Sequence, residues 1–107
     1  MLRTMLERRG MSVMEAEDGE TAIRLAERER PRMILMDGGL PLLDGLETTR
    51  LLRAHEALNQ VPIIFLSGHA SDSYRMDARN AGCDEFLVKP IDLDQLDVVL
   101  KRHLERY

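Results

Sequence analysis

The chain has 107 residues, 44% hydrophobic and 32% charged, with 15 Lys and Arg against 19 Asp and Glu and a formal net charge of -4. These values suit one globular domain over residues 1–107 and exclude a disordered or fibrous chain. Surface scaling gives about 6,100 Å² exposed when folded against about 17,800 Å² unfolded, which allows a core without staples. The acidic balance argues against direct nucleic-acid binding, because phosphate neutralisation needs a clustered positive field. The single cysteine, Cys83, cannot form an internal disulfide and gives no sign of an oxidising compartment. No apolar run approaches the ~18 residues of a membrane span, and no signal-peptide h-region follows a basic start. The expectation is a cytoplasmic domain with no membrane partner.

Met1, Leu2, Met5 and Leu6 share one helical face, and Arg8, Arg9 and Gly10 make a helix stop. Basic side chains suit the negative end of the helix dipole, and glycine suits a left-handed cap. Ser12–Ala16 reads as a short strand. Glu20–Glu29 is helical, with Ala22, Ile23 and Ala26 on one face and Pro31 forbidding continuation. Met33-Ile34-Leu35-Met36 is apolar without alternation, the pattern of a strand covered on both faces. Beyond a loop containing Gly and Pro, Asp44 can cap a helix, with Glu47 three residues on as in a capping box. Val61–Leu66 is a second continuous apolar strand, with Pro62 near its start. A helix over Ser73–Ala81 stops at Gly82, Phe86-Leu87-Val88 forms a third buried strand, and Asp92 caps a last helix with Leu93, Leu96, Leu100 and Leu104 in one stripe. Strands alternating with helices at this spacing predict an open, doubly wound parallel α/β sheet. The chain nevertheless opens on a helix, so a first strand is expected to be missing.

Ligands of such sheets sit at the carboxyl ends of the strands. Asp37, Ser67 and Lys89 each follow one of the three apolar runs. Taken singly, each has an ordinary role: a capping aspartate, a turn serine, a solvated lysine. Together at successive strand ends they place an acid, a hydroxyl and an ammonium on one rim. An aspartate beside a lysine stays ionised and can attack a phosphoryl donor. The lysine then offsets the added charge while the hydroxyl donates to a phosphate oxygen.

The segments Ile34-Leu35-Met36-Asp37, Leu40-Pro41-Leu42-Leu43-Asp44-Gly45, Phe65-Leu66-Ser67-Gly68-His69 and Ala81-Gly82-Cys83-Asp84-Glu85-Phe86-Leu87-Val88-Lys89-Pro90 resemble those of a response regulator receiver domain. Glu15-Ala16-Glu17-Asp18-Gly19 resembles that family's second strand and turn. The resemblance implies a flavodoxin-like receiver fold in a two-component phosphorelay. It implies Asp37 as phosphoacceptor, Lys89 as phosphate contact, Ser67 and Phe86 as switch residues, and a cis Lys89-Pro90 peptide. It also implies Mg²⁺, held in part by Asp37 and the carbonyl of Gly39. The family's acidic pair after the first strand is not found in this chain, so Mg²⁺ is expected to bind weakly. Glu15, Glu17 and Asp18 read as a solvated turn rather than substitutes.

A missing central strand has a folding consequence. About five buried residues at roughly 2 kcal/mol each amount to about 10 kcal/mol, comparable with a whole domain's stability. The expectation is therefore a start lying upstream, a fragment, or a rearranged sheet. His69 stands near the site's mouth, where Gly39 offers no side chain; His55 and His103 read as surface residues and Cys83 as a small buried one. Two enzyme or cofactor readings fail. A haloacid-dehalogenase-like phosphohydrolase needs a second Asp where Gly39 stands, and a flavodoxin-like cofactor binder needs a hydroxyl-rich phosphate loop. The chain is thus not expected to be an enzyme. The expected partners are a sensor histidine kinase or histidine phosphotransfer protein, and a downstream protein or second copy at the face of Ser73–Ala81, Phe86–Val88 and Asp92–Glu105. The competing expectation is a receiver-like scaffold that works without phosphorylation.

Overall fold

The computed structural model describes residues 2–38, 44–69 and 71–104. Gly39, residues 40–43, Met1 and Glu105, all named above, lie outside that set. Three strands, β1 (Ile34–Asp37), β2 (Ile63–Ser67) and β3 (Glu85–Val88), form a parallel sheet in that order. Ile34 stands opposite Ile63, and Ile64 opposite Glu85. Five α-helices surround the sheet: α1 (Leu2–Arg8), α2 (Gly19–Glu29), α3 (Gly45–Ala54), α4 (Asp72–Ala81) and α5 (Leu93–His103). A single 3-10 turn, Glu56–Leu58, follows α3.

Local chemistry starts and stops these helices. The Asp18 carboxylate accepts from the Thr21 N–H at 2.8 Å, and Asp44 accepts from the Glu47 N–H at 2.8 Å. Ser71 and Asp92 cap α4 and α5 in the same manner. Each side chain satisfies donors that the first helical turn leaves without partners. Gly10, at a φ of 85°, ends the first helix with Met11 N–H bonded back to the Leu6 carbonyl, as its sequence suggested.

All five residues of β2 are buried. Ile64 and Leu66 face one core with Leu87, Leu6 from α1, and Leu96, Val99 and Leu100 from α5. Ile63 and Phe65 face a second core with Met36, Ala26 from α2, Leu52 from α3 and Ala78 from α4. Helices cover both faces, which is the doubly wound arrangement the apolar runs predicted.

Three expectations need correction. Residues 12–16 form no strand. They and β1 line a groove of about 800 Å³ that includes Val13, Met33, Leu35 and Leu100. Pairing needs a neighbour about 4.8 Å away, and none of the described residues lies beside this segment as a strand. Leu93 is not in the α5 stripe: it is 42% exposed beside Met5 and Arg9, and Val99 is buried with Leu96 and Leu100 instead. His55 is a surface residue paired with Glu27, whereas the His103 side chain is only 21% exposed, its Nε2 lying 2.7 Å from Glu85 Oε2.

The amino-terminal ends of β2 and β3 are tied by one side chain. Arg53 Nε donates to the Gly82 carbonyl at 2.8 Å, and Nη1 donates to the carbonyls of Leu58 and Val61 at 3.1 and 2.6 Å. Its Nη2 lies 2.7 Å from Asp84 Oδ2, the oxygen that also accepts from the Ile63 N–H at 2.9 Å. Arg53→Met should therefore lower stability by about 2–4 kcal/mol, because several carbonyls and a carboxylate lose their donor together. Arg53→Lys should recover little of this, since one ammonium cannot span the fork. Urea denaturation checks both, and a wild-type midpoint in either variant would refute the assignment.

Glu85 makes a second, pH-dependent tie. Burial works to raise its carboxyl pKa, but hydrogen bonds from His103 and Arg102 outweigh it and leave the value below the ordinary 4.5. A depressed folded pKa stabilises the fold above the unfolded value and loses that contribution as pH falls through the folded one. Glu85→Gln should accordingly be less stable than wild type near neutral pH, with the gap closing below about pH 4. Thermal melts across that range measure it; a gap that persists in acid would exclude the ionised carboxylate as the cause.

Candidate functional site

The register of the sheet assembles the site. Asp37 pairs with Leu66, Ser67 is the next residue of β2, and Ser67 pairs with Val88, after which Lys89 emerges. The Gly38 N–H bonds to the Leu66 carbonyl at 2.9 Å and the Lys89 N–H to the Ser67 carbonyl at 2.8 Å, which holds the three strand ends level. Lys89 Nζ lies 2.8 Å from Asp37 Oδ2. The Lys89-Pro90 peptide is cis. Ser67 is 5% exposed, and its Oγ accepts from the His69 N–H at 2.9 Å. The three residues singled out in the sequence thus do share one rim.

The Asp37 and Lys89 side chains are 48% and 41% exposed. An ion pair that wet adds little to stability. Its contribution is positional: a cation stands against a carboxylate that solutes can reach.

Three of the chain's four aromatic residues gather behind this rim. The Phe65 and Phe86 rings stack at 5.7 Å and 11°. Tyr74 of α4 meets both edge-on, at 6.0 and 6.2 Å, and the His69 ring tilts over Tyr74 at 5.2 Å. The Arg75 guanidinium lies 5.1 Å above the Phe86 ring, covering it from the α4 side. Burial first, and then the Asp44 charge, push the Tyr74 phenol above its ordinary pKa of 10.0, while the Ser67 hydroxyl works the other way.

Two glycines let the backbone close up here. A Cβ on Gly45 would lie 2.8 Å from the Gly38 Cα and 2.9 Å from the Asp37 carbonyl oxygen, so the start of α3 can pack directly on the loop after β1. A Cβ on Gly38 would lie 2.8 Å from the Phe65 ring and 2.9 Å from the Tyr74 hydroxyl. Tyr74, Gly38 and Gly45 were not legible as site residues. The available signal for Tyr74 was an aromatic in the first turn of the helix after Ser67, in a chain with very few aromatics.

Among the described residues the rim offers few of the oxygen donors that an octahedral Mg²⁺ site needs. Among the described residues no group of three or more His, Cys, Asp or Glu side chains could hold a metal ion. Glu15 pairs with Arg3 at 2.9 Å and Asp18 caps α2.

The geometry defines a receiver-type rim at the carboxyl end of a parallel sheet, and comparison with known proteins agrees. The response regulator receiver domain model matches residues 1–101. The chain belongs to that family, the receiver modules of two-component systems. It is 40% identical over 106 residues to the KDP operon transcriptional regulatory protein KdpE of Escherichia coli (strain K12), covering 99% of this chain and 46% of that protein. It is 31% identical to the polar-differentiation response regulator DivK of Brucella anthropi, covering 97% of this chain and 85% of the relative. The chain thus spans less than half the length of the transcriptional regulators it matches and most of the length of DivK. Among solved structures, the receiver domain of sensor histidine kinase PA1611 from Pseudomonas aeruginosa PAO1, with magnesium coordinated in its active site cleft, superposes with a TM-score of 0.89 at 39% identity, covering 97% of this chain and 85% of that one. The chemotaxis protein CheY4 of Vibrio cholerae superposes with a TM-score of 0.90 at 28% identity, covering 97% and 87%.

The close packing at Gly38 is testable by a double-mutant cycle. Gly38→Ala should cost about 1–3 kcal/mol through overpacking against Phe65 and Tyr74. In a Tyr74→Phe background the same change should cost less, because one of the two clashing atoms is gone. Equal costs in the two backgrounds would show that Tyr74 does not press on Gly38.

Proposed function

We propose that the chain is the phosphoacceptor module of a cytoplasmic two-component phosphorelay, phosphorylated on Asp37, rather than an enzyme acting on a free substrate. The observation that carries this reading is Lys89 Nζ at 2.8 Å from a solvent-accessible Asp37 carboxylate on the rim that also holds Ser67. Receiver domains of response regulators interact with histidine kinases and with downstream effectors. The donor here would be a sensor histidine kinase or a histidine phosphotransfer protein. An Asp37 oxygen attacks phosphorus, the bond from phosphorus to the donor's imidazole nitrogen breaks, and the electron pair returns to that nitrogen. The acyl phosphate adds negative charge, which Lys89 offsets while the Ser67 hydroxyl donates to a phosphoryl oxygen. Phosphorylation then biases a two-state rearrangement around Ser67 and Phe86, and α4, β3 and α5 present it to a downstream protein or second copy.

Mg²⁺ is expected to bind this chain weakly, since Asp37 and the Gly39 carbonyl make a small donor set. That shortage favours one second reading: a receiver-like scaffold that works without phosphorylation. No described helix is long and apolar enough to cross a membrane, in keeping with the proposed compartment.

Incubation with radiolabelled acetyl phosphate and excess Mg²⁺ separates the two readings. Hydroxylamine-labile label should appear on the wild-type chain and vanish in Asp37→Ala. Label that survives in Asp37→Ala would overturn the assignment of the residue. A wild-type chain that takes up no label would establish the scaffold reading.

A further inference from the structure

The family resemblance supplied Asp37, Ser67, Phe86 and Lys89 but no role for Tyr74. The structure places this residue where the site meets α4. Its ring forms edge contacts with Phe65 and Phe86 at 6.0 and 6.2 Å and carries the His69 ring at 5.2 Å. Its hydroxyl reaches the space beside Gly38, the residue after Asp37, where an added Cβ would stand only 2.9 Å away. The same residue donates its backbone N–H to the Ser71 hydroxyl at 3.2 Å, the bond that caps α4. Its neighbour in the chain, Arg75, covers the outer side of Phe86. One residue therefore touches the loop after Asp37, the Phe65 and Phe86 rings and the first turn of α4.

We propose that Tyr74 is a positioning residue that couples the charge state of Asp37 to the amino-terminal turn of α4, its phenol lying against the loop after Asp37 while its ring and backbone hold the helix start. The proposal deepens the phosphoacceptor reading and rests on it for its physiological meaning. The physical basis is a polar tip on an apolar body. The ring packs edge-on against Phe65 and Phe86, so a rearrangement of Ser67 and Phe86 on phosphorylation changes what the ring and its hydroxyl face. A shift of the ring carries with it the residue whose N–H caps the start of α4. The titration of the phenol agrees with this placement, because Ser67 and the Asp37 charge both act on it. A group acts as a coupler only if its surroundings differ between the two states, and Ser67 and Asp37 are the two groups that phosphorylation alters.

The alternative is that Tyr74 only fills space against Phe65, and one set of measurements separates the two. The chain has two tyrosines, so a Tyr107→Phe background labelled with 3-fluorotyrosine gives a single ¹⁹F resonance from Tyr74. Asp37→Asn and Ser67→Ala should each shift that resonance in the folded protein without any phosphodonor. A resonance that neither change moves would overturn the coupling. Failure of the phosphoacceptor reading would appear elsewhere, as absence of hydroxylamine-labile label, and would leave this spectral test intact. In protein that does take up label, hydrogen exchange of the amides in the α4 turn, residues 72–75, should change on phosphorylation. Tyr74→Phe, which keeps the ring and removes the hydroxyl, should take up label on Asp37 yet reduce that exchange response by roughly five-fold or more. A full α4 response in labelled Tyr74→Phe would reduce the residue to a space-filler.

Discussion

The burial of β2 on both faces is the constraint on which the other elements depend. Five consecutive side chains must leave water, and alternate ones leave it in opposite directions. Ile64 and Leu66 require α1 and α5 on one side; Ile63 and Phe65 require α2, α3 and α4 on the other. With the central strand locked this way, a one-residue slip would exchange the two cores. The pairings Asp37 with Leu66 and Ser67 with Val88 follow from that lock, and so does the arrival of Lys89 beside Asp37. The chemistry at the rim is thus a by-product of hydrophobic registration several residues below it.

The two ends of the sheet are built differently. At the amino-terminal end Arg53 and Asp84 join α3, the 3-10 turn and the entries to β2 and β3 in one hydrogen-bonded knot, with the Arg53 side chain 18% exposed. At the carboxyl-terminal end the polar groups are wetter, and the contacts behind them are rings that meet edge-on or in offset stacks. Ring contacts of this kind tolerate small rotations better than a guanidinium held by several acceptors does. Rigidity at the base and adaptable packing under the rim suit a module whose charged end changes state while its fold stays in place.

Much of this was legible in the sequence because it depends on nearest neighbours along the chain. The unbroken apolar runs named the three strands, Asp44 and Asp92 named helix starts, and the residue after each run named the rim. What could not be read depends on what packs alongside. Residues 12–16 have a strand's composition, but composition alone supplies no ladder partner. Leu93 has the helical spacing of the α5 stripe but stands on the first turn, beside α1 rather than over the sheet. Arg53 reads as one more surface arginine, since its acceptors are carbonyls up to 29 residues away and an aspartate 31 residues away. Tyr74 belongs to the same class: its position over Gly38 follows from how α4 docks, which no local pattern records.

The outer edge of β1 has a different consequence, for the chain in a crowded solution. Among the described residues β1 has a strand neighbour on its β2 side alone, and Met33 and Leu35 line the groove beside it. A bare strand edge offers donors and acceptors to any extended backbone, whatever side chains that backbone carries. Self-association through such an edge would climb with protein concentration. Added salt would not suppress it, because backbone hydrogen bonds are not screened as exposed charges are. The formal charge of -4 provides repulsion at low ionic strength. At physiological salt that repulsion shortens to within about 8 Å of the surface, which leaves backbone contacts at the edge of β1 less opposed.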